Sequence, residues 1–179
     1  MVTQAVFGLS ILVSFMAFGL VTRLYVWPRL RRLERDDAIL ALVVPHAFRF
    51  IGLAFLVPGV VAAALPSAFA IPTAIGDLIT AVLAIASSIA LSRRASFALA
   101  LVWLFNLWGT ADLLLAYYHG VFGVPLEPGM FGAAYYIPSA IVPALFIGHG
   151  LIFRLLVAPV RQATPGQSNP QRNTSSSIA

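Results

Sequence analysis

Six side chains able to do chemistry stand inside otherwise apolar stretches: His46, Arg49, Asp77, Asn106, Asp112 and His149. A polar or ionisable group within a membrane segment marks a functional site by default, provided its partners can be named. Arg49 is the most demanding of them. It lies in an apolar run from about Ala38 to Ala64, and at the helical rise it sits roughly 17 Å into a hydrocarbon core of about 30 Å. A guanidinium at that depth costs at least about 2.5–3.5 kcal/mol on insertion scales, so it needs counter-charge, hydrogen bonds or water.

Depth suggests which groups supply them. Counted from the ends that carry basic residues, His46 falls at about 12 Å, His149 at about 13–14 Å and Asn106 at about 15–17 Å. Asp77 falls near about 21 Å and Asp112 near about 24–26 Å. A snorkelling reach of about 6 Å lets Arg49 meet Asp77, and Asp112 less comfortably. His46 and Arg49 share a helix face, as do Asn106 and Thr110, whereas Asp112 points away from Asn106 and reads as a second, separate contact. Thr73, Asp77, Thr80, Ala84 and Ser87 recur at helical spacing, a stripe of the small and polar kind used for close packing in lipid.

Three functional classes are consistent with this set. In the first, the second to fifth helices bound a polar cavity at mid-depth, in which Arg49 contacts a small polar or anionic molecule that is bound or transported, Asp77 holds or releases the arginine, and His46, Asn106 and His149 add hydrogen bonds. In the second, His46 and His149 are the axial ligands of a b-type haem in an electron-transfer protein. In the third, the chain is a non-catalytic subunit or assembly factor of a membrane complex, or a homo-oligomer, and the Arg49–Asp77 pair is a structural lock. The histidines then bond backbone carbonyls freed by Pro45 or Pro143. An enzyme is not expected. There is no phosphate-binding glycine loop, no His-Glu-x-x-His zinc helix and no nucleophile elbow, and no acid–base pair has diagnostic spacing.

These residues need a membrane scaffold, and composition provides one. The chain is 60% hydrophobic and 9% charged, against about 25% charged in soluble domains. The fold class read from it is all-α: a five-helix integral membrane bundle with spans near 2–27, 38–64, 72–91, 95–119 and 133–158. Residues 1–158 form this domain and 159–179, rich in Gln, Ser, Asn and Thr, a disordered cytoplasmic tail. Arg29–Arg35, Arg93–Arg94 and Arg154–Arg172 fall on one side if the spans alternate, while the loops Leu65–Ile71 and Gly120–Gly132 hold no Lys or Arg. The positive-inside rule then puts the N-terminus outside and the C-terminus in the cytoplasm, as in a multi-pass protein of a bacterial inner membrane.

The net charge of +5 follows from that loop bias and not from a nucleic-acid face, so the bilayer is the expected partner. The absence of cysteine removes disulfides and thiolate chemistry. The first apolar stretch is too long for the h-region of a cleavable signal peptide. Pro28 is expected to close the first helix, Pro72 to open the third, and Pro45, Pro58, Pro138 and Pro143 to kink spans from within.

A faint repeat is also visible. Phe48-Arg49-Phe50-Ile51-Gly52 aligns with Phe105-Asn106-Leu107-Trp108-Gly109, and Ile71-Pro72-Thr73 with Ile137-Pro138-Ser139. Two parallel hairpins would follow, with Arg49 and Asn106 at matching positions.

Overall fold

A computed structural model of the chain describes residues 2–158; the tail read from residue 159 onward lies outside them. The described residues are helical with no strand. Five helices are long and apolar enough to cross a membrane: α1 (Val2–Leu30), α2 (Arg35–Leu56), α3 (Ser67–Ser92), α4 (Ala98–Gly123) and α5 (Ile137–Val157). Helices α2 to α5 close into a ring, each packed on the next and α5 back on α2, while α1 lies outside the ring along α5.

Arginines gather at one end of this ring. Arg35 donates to the carbonyls of Leu155 and Leu156 at 3.0 and 2.5 Å, satisfying acceptors that the end of α5 leaves open. Arg154 sits 4.1 Å above the Trp27 ring. Arg94, in the α3–α4 turn, pairs with Glu34, Asp36 and Asp37, exposed contacts worth little individually. The core behind them is apolar: Ile39, Val43, Ala84, Val102, Phe105 and Ile152 are buried together.

The opposite end carries no arginine. A loop from Val57 to Pro66 is tied to a short 3-10 helix, Pro128–Tyr135, by Ala62 N–H to Met130 O at 3.0 Å and Ala133 N–H to Val60 O at 2.8 Å. Gly132 makes this possible. Its φ of 51° lies in the left-handed region, and a side chain there would run into the Val60 carbonyl.

Helix ends depart from the sequence reading for identifiable reasons. Helix α2 stops at Leu56 rather than near Ala64, because Val44–Leu56 is a 3-10 helix. Thirteen residues at that rise cover about 26 Å, against about 20 Å for an α-helix, so a shorter segment reaches as far. Pro58 therefore lies in a turn and kinks nothing. Helix α3 begins at Ser67, which leaves Pro72 inside it rather than at its start.

Nor does Pro28 end α1. The π turn at His119–Gly123 ends α4, with Pro125 in the loop beyond, but those at Thr22–Val26 and Ile137–Ile141 each finish two residues before a proline inside the helix, Pro28 and Pro143. Widening the turn moves the carbonyl that the proline ring would strike, and the helix can run on. The small-residue stripe of α3 is consumed internally, with Thr73, Asp77, Thr80, Ala84 and Ser87 all buried.

Phe105 is fully buried, while Phe97, immediately before the same helix, is 62% exposed. Phe105→Ala should lower unfolding stability by somewhat less than the about 3–5 kcal/mol seen in soluble cores, since lipid removes most of the transfer term and leaves the cavity term. Phe97→Ala should stay within about 0.5 kcal/mol. Thermal unfolding of both variants in detergent measures the contrast.

Candidate functional site

Helix type decides which side chains of α2 face inward. The buried residues of its 3-10 segment are His46, Arg49, Gly52 and Phe55, at strict three-residue spacing. With three residues per turn they stack in one line. In an α-helix each such step falls about 60° short, so Phe55 would point away from His46. The 3-10 winding is thus what presents one straight inward stripe.

Arg49 projects from that stripe into the centre of the ring. Its Nε donates to Asp77 Oδ1 at 2.7 Å. One terminal nitrogen donates to the Gly109 carbonyl at 3.0 Å and approaches His149 Nε2 at 3.4 Å. The other donates to Asp112 Oδ2 at 2.5 Å and lies 2.6 Å from Asp77 Oδ1. A guanidinium has five N–H groups; Nε and one N–H of each terminal nitrogen bond Asp77, Gly109 and Asp112, with His149 Nε2 and Asp77 Oδ1 close beside the terminal pair. Behind it, His149 Nδ1 meets Asn106 Oδ1 at 2.7 Å, and Asn106 Nδ2 donates to the His149 carbonyl at 3.3 Å. An amide oxygen only accepts, so the proton belongs on His149 Nδ1 and Nε2 is free to accept from Arg49.

Four glycines make room for these side chains, one on each helix of the ring. A Cβ on Gly52 would strike the Asp77 carboxylate, and one on Gly76 the carboxylate of Asp112. A Cβ on Gly109 would lie 2.7 Å from His149 Cε1, and one on Gly148 2.7 Å from His46 Nε2. The contacts run α2 to α3, α3 to α4, α4 to α5 and α5 back to α2. Each helix accommodates the polar side chain of its neighbour against bare backbone, the close approach that small residues permit in lipid.

The network forms the floor of a cavity of about 580 Å³ that extends toward the arginine-free end. Arg49, Asp77 and Asp112 are the charged residues on its wall among those described, and Phe7, Phe55, Phe69, Phe131 and Tyr117 surround it with aromatic rings. The cavity differs from the expected one in two respects. Most of its lining is apolar rather than polar, and α1 joins α2 to α5 around it, through Gln4, Phe7, Gly8 and Ile11.

Of the six residues named from sequence, Arg49, Asp77, Asn106, Asp112 and His149 are joined by hydrogen bonds into one cluster. Asp112, read from the sequence as a separate contact, joins the same cluster through Arg49, and Asn106 joins it through His149. His46 touches it only by ring contact, with centroids 4.3 Å from His149 and 5.3 Å from Phe105. Its buried Nδ1 has no hydrogen-bond partner, so the expected bond to a proline-freed carbonyl is not made. The haem arrangement does not fit either. The two imidazoles are in direct contact, where an iron and its macrocycle would have to separate them, and both nitrogens of His149 already have partners. The four glycines and the phenylalanine wall were not singled out as site residues, although Gly52 and Gly109 align in the repeat.

The chain matches, over residues 6–157, the family described as a domain of unknown function (DUF8737), and belongs to it. No curated protein and no solved structure matches.

Gly148 and Gly150 lie two residues apart, and only Gly148 faces a neighbour; nothing approaches the Cβ position of Gly150. Gly148→Ala should lower stability by about 1–3 kcal/mol through overpacking against His46. Gly150→Ala should be neutral or gain up to about 1 kcal/mol from helix propensity. Unfolding of the pair in detergent distinguishes a required close approach from a general demand for glycine.

Proposed function

We propose that this member of the DUF8737 family is a multi-pass protein of the bacterial inner membrane that binds a small molecule at the Arg49–Asp77–Asp112 floor. The observation carrying this reading is the cavity itself: about 580 Å³, within the range that holds drug-sized ligands, largely apolar, with a few convergent polar groups at its base. A polar end of the molecule meets the carboxylates, and its apolar body lies among the phenylalanines. The floor is sealed below by the apolar cluster of Val43, Val102, Phe105 and Ile152, which favours a binding pocket over an open conduit; passage across the membrane would require that cluster to part.

The orientation belongs to the same proposal. All the loop arginines lie at the end holding Arg29–Arg35 and Arg93–Arg94, and the positive-inside rule assigns that end to the cytoplasm. The N-terminus and the mouth of the cavity then face outward. A subunit or assembly role has less support, because the small-residue stripe that suggested it is buried within the chain's own ring.

Because the chain has no cysteine, single cysteines report topology without background. In intact cells, Gly129→Cys should react with a membrane-impermeant maleimide, and Arg32→Cys should react only after permeabilisation; the reverse pattern inverts the orientation. For binding, native mass spectrometry of the purified protein should detect a retained small molecule. That mass should disappear in Ala116→Trp, whose indole would fill the cavity from α4. Equal retention by wild type and Ala116→Trp would remove the cavity as the binding site.

A further inference from the structure

The chemistry of the cavity floor goes further than occupancy, because it distinguishes one sign of charge from the other. We infer that the cavity takes a lipophilic organic cation, its positive centre beside Asp112 and its apolar groups among the aromatic rings. This rests on the binding role proposed above and names its ligand class.

The expected ligand on sequence grounds was polar or anionic, with Arg49 as its contact. An anion would need a guanidinium N–H, and all three guanidinium nitrogens already have partners in Asp77, Asp112, Gly109 and His149. It would also have to approach two carboxylates. Formally the floor holds one positive and two negative groups, leaving one carboxylate without a counter-charge of its own. In an apolar surrounding an incompletely paired carboxylate is costly, and an added cation completes the pairing. Both carboxylates are slightly open, Asp112 with 12% of its side chain and Asp77 with 9%, against 1% for Arg49.

The walls point the same way. Phe7 stacks on Phe131 at 5.8 Å, Phe55 lies 5.8 Å from Phe69 and 6.1 Å from Phe131, and Phe69 lies 5.9 Å from Phe131. Rings packed on one another in this way form an apolar wall, suited to the organic groups of a cation too bulky to hydrate well. Between the mouth and the floor no basic residue intervenes. The loops Leu65–Ile71 and Gly120–Gly132 contain no Lys or Arg, and Glu127 is the one charged residue in them. An incoming cation therefore meets only favourable potential until it reaches Arg49, which the two carboxylates screen.

The test uses three probes of similar shape and different charge: tetraphenylphosphonium, triphenylphosphine oxide and tetraphenylborate, measured by equilibrium binding to the detergent-purified full chain. The expected result is saturable phosphonium binding at least 10-fold tighter than that of the borate, with the oxide between them. Asp112→Asn should erase the preference. Should that variant fail to fold, Ala116→Lys, one turn beyond Asp112 on the same helix and on the cavity wall, sets an ammonium within reach of that carboxylate and supplies its counter-charge from within the chain, and should likewise erase the preference for the phosphonium. Equal binding of all three probes, or a preference for the borate, overturns the cation assignment and leaves the cavity reading intact. No binding of any probe, with wild type and Ala116→Trp alike, overturns both.

Discussion

The guanidinium of Arg49 is the point from which the rest of the molecule can be understood. Among apolar helices a buried guanidinium depends on protein acceptors for its donors. The acceptors come from three other helices: Asp77 on α3, Gly109 and Asp112 on α4, and His149 on α5. One side chain of α2 thereby fixes the relative positions of the whole ring. Lipid gives helices little hydrophobic reason to associate, so a directional cluster of this kind, together with close packing, takes over that role. Removing the arginine would leave two buried carboxylates facing one another, the situation in which broken ion clusters cost most.

Bringing these groups within hydrogen-bond distance demands helices closer than ordinary side chains allow, and the chain meets that demand in the backbone. The 3-10 winding of Val44–Leu56 lines up His46, Arg49, Gly52 and Phe55, and a glycine on each ring helix admits its neighbour's polar group. The two hairpins do this alike. Arg49 bonds Asp77 while Gly52, three residues on, makes room for the same Asp77; Asn106 bonds His149 while Gly109, three residues on, makes room for the same His149. The weak sequence match that aligned Arg49 with Asn106 and Gly52 with Gly109 thus has a physical counterpart. One hairpin carries the device in charged form and the other in neutral form.

The sequence was most informative where the bilayer leaves few choices. Length and apolarity located the five spans, because a crossing segment needs about 20 apolar residues whatever its neighbours are. Depth counting brought Arg49 and Asp77 together for the same reason. What was lost depended on helix type and azimuth. Periodicity at about 3.6 residues per turn cannot signal a 3-10 stretch, so the end of α2 was read eight residues too late, and His46 was assigned a carbonyl partner it does not have. Prolines were read as breaks or kinks because the π turns that accommodate Pro28 and Pro143 leave no mark in composition. The cavity itself was missed in character, since its phenylalanines come from α1, α2, α3 and the Pro128–Tyr135 helix, and no local pattern unites them.

Rigidity is unevenly distributed around that cavity. Its floor belongs to the ring α2–α5, where hydrogen bonds, glycine contacts and an apolar cluster reinforce one another. Its remaining wall is α1, in which no residue of Val2–Val21 is buried. Helix α1 is held through Phe7 against Phe131 and Tyr135, Phe15 against Phe146, and the Ser10 hydroxyl 3.3 Å from that of Tyr135. Local opening follows the weakest set of buried contacts, so any adjustment of the cavity falls on α1 before it reaches the ring. Arg49, bonded to both carboxylates, sets where Asp77 and Asp112 point. In the proposed binding role the carboxylates, rather than the guanidinium, meet the ligand.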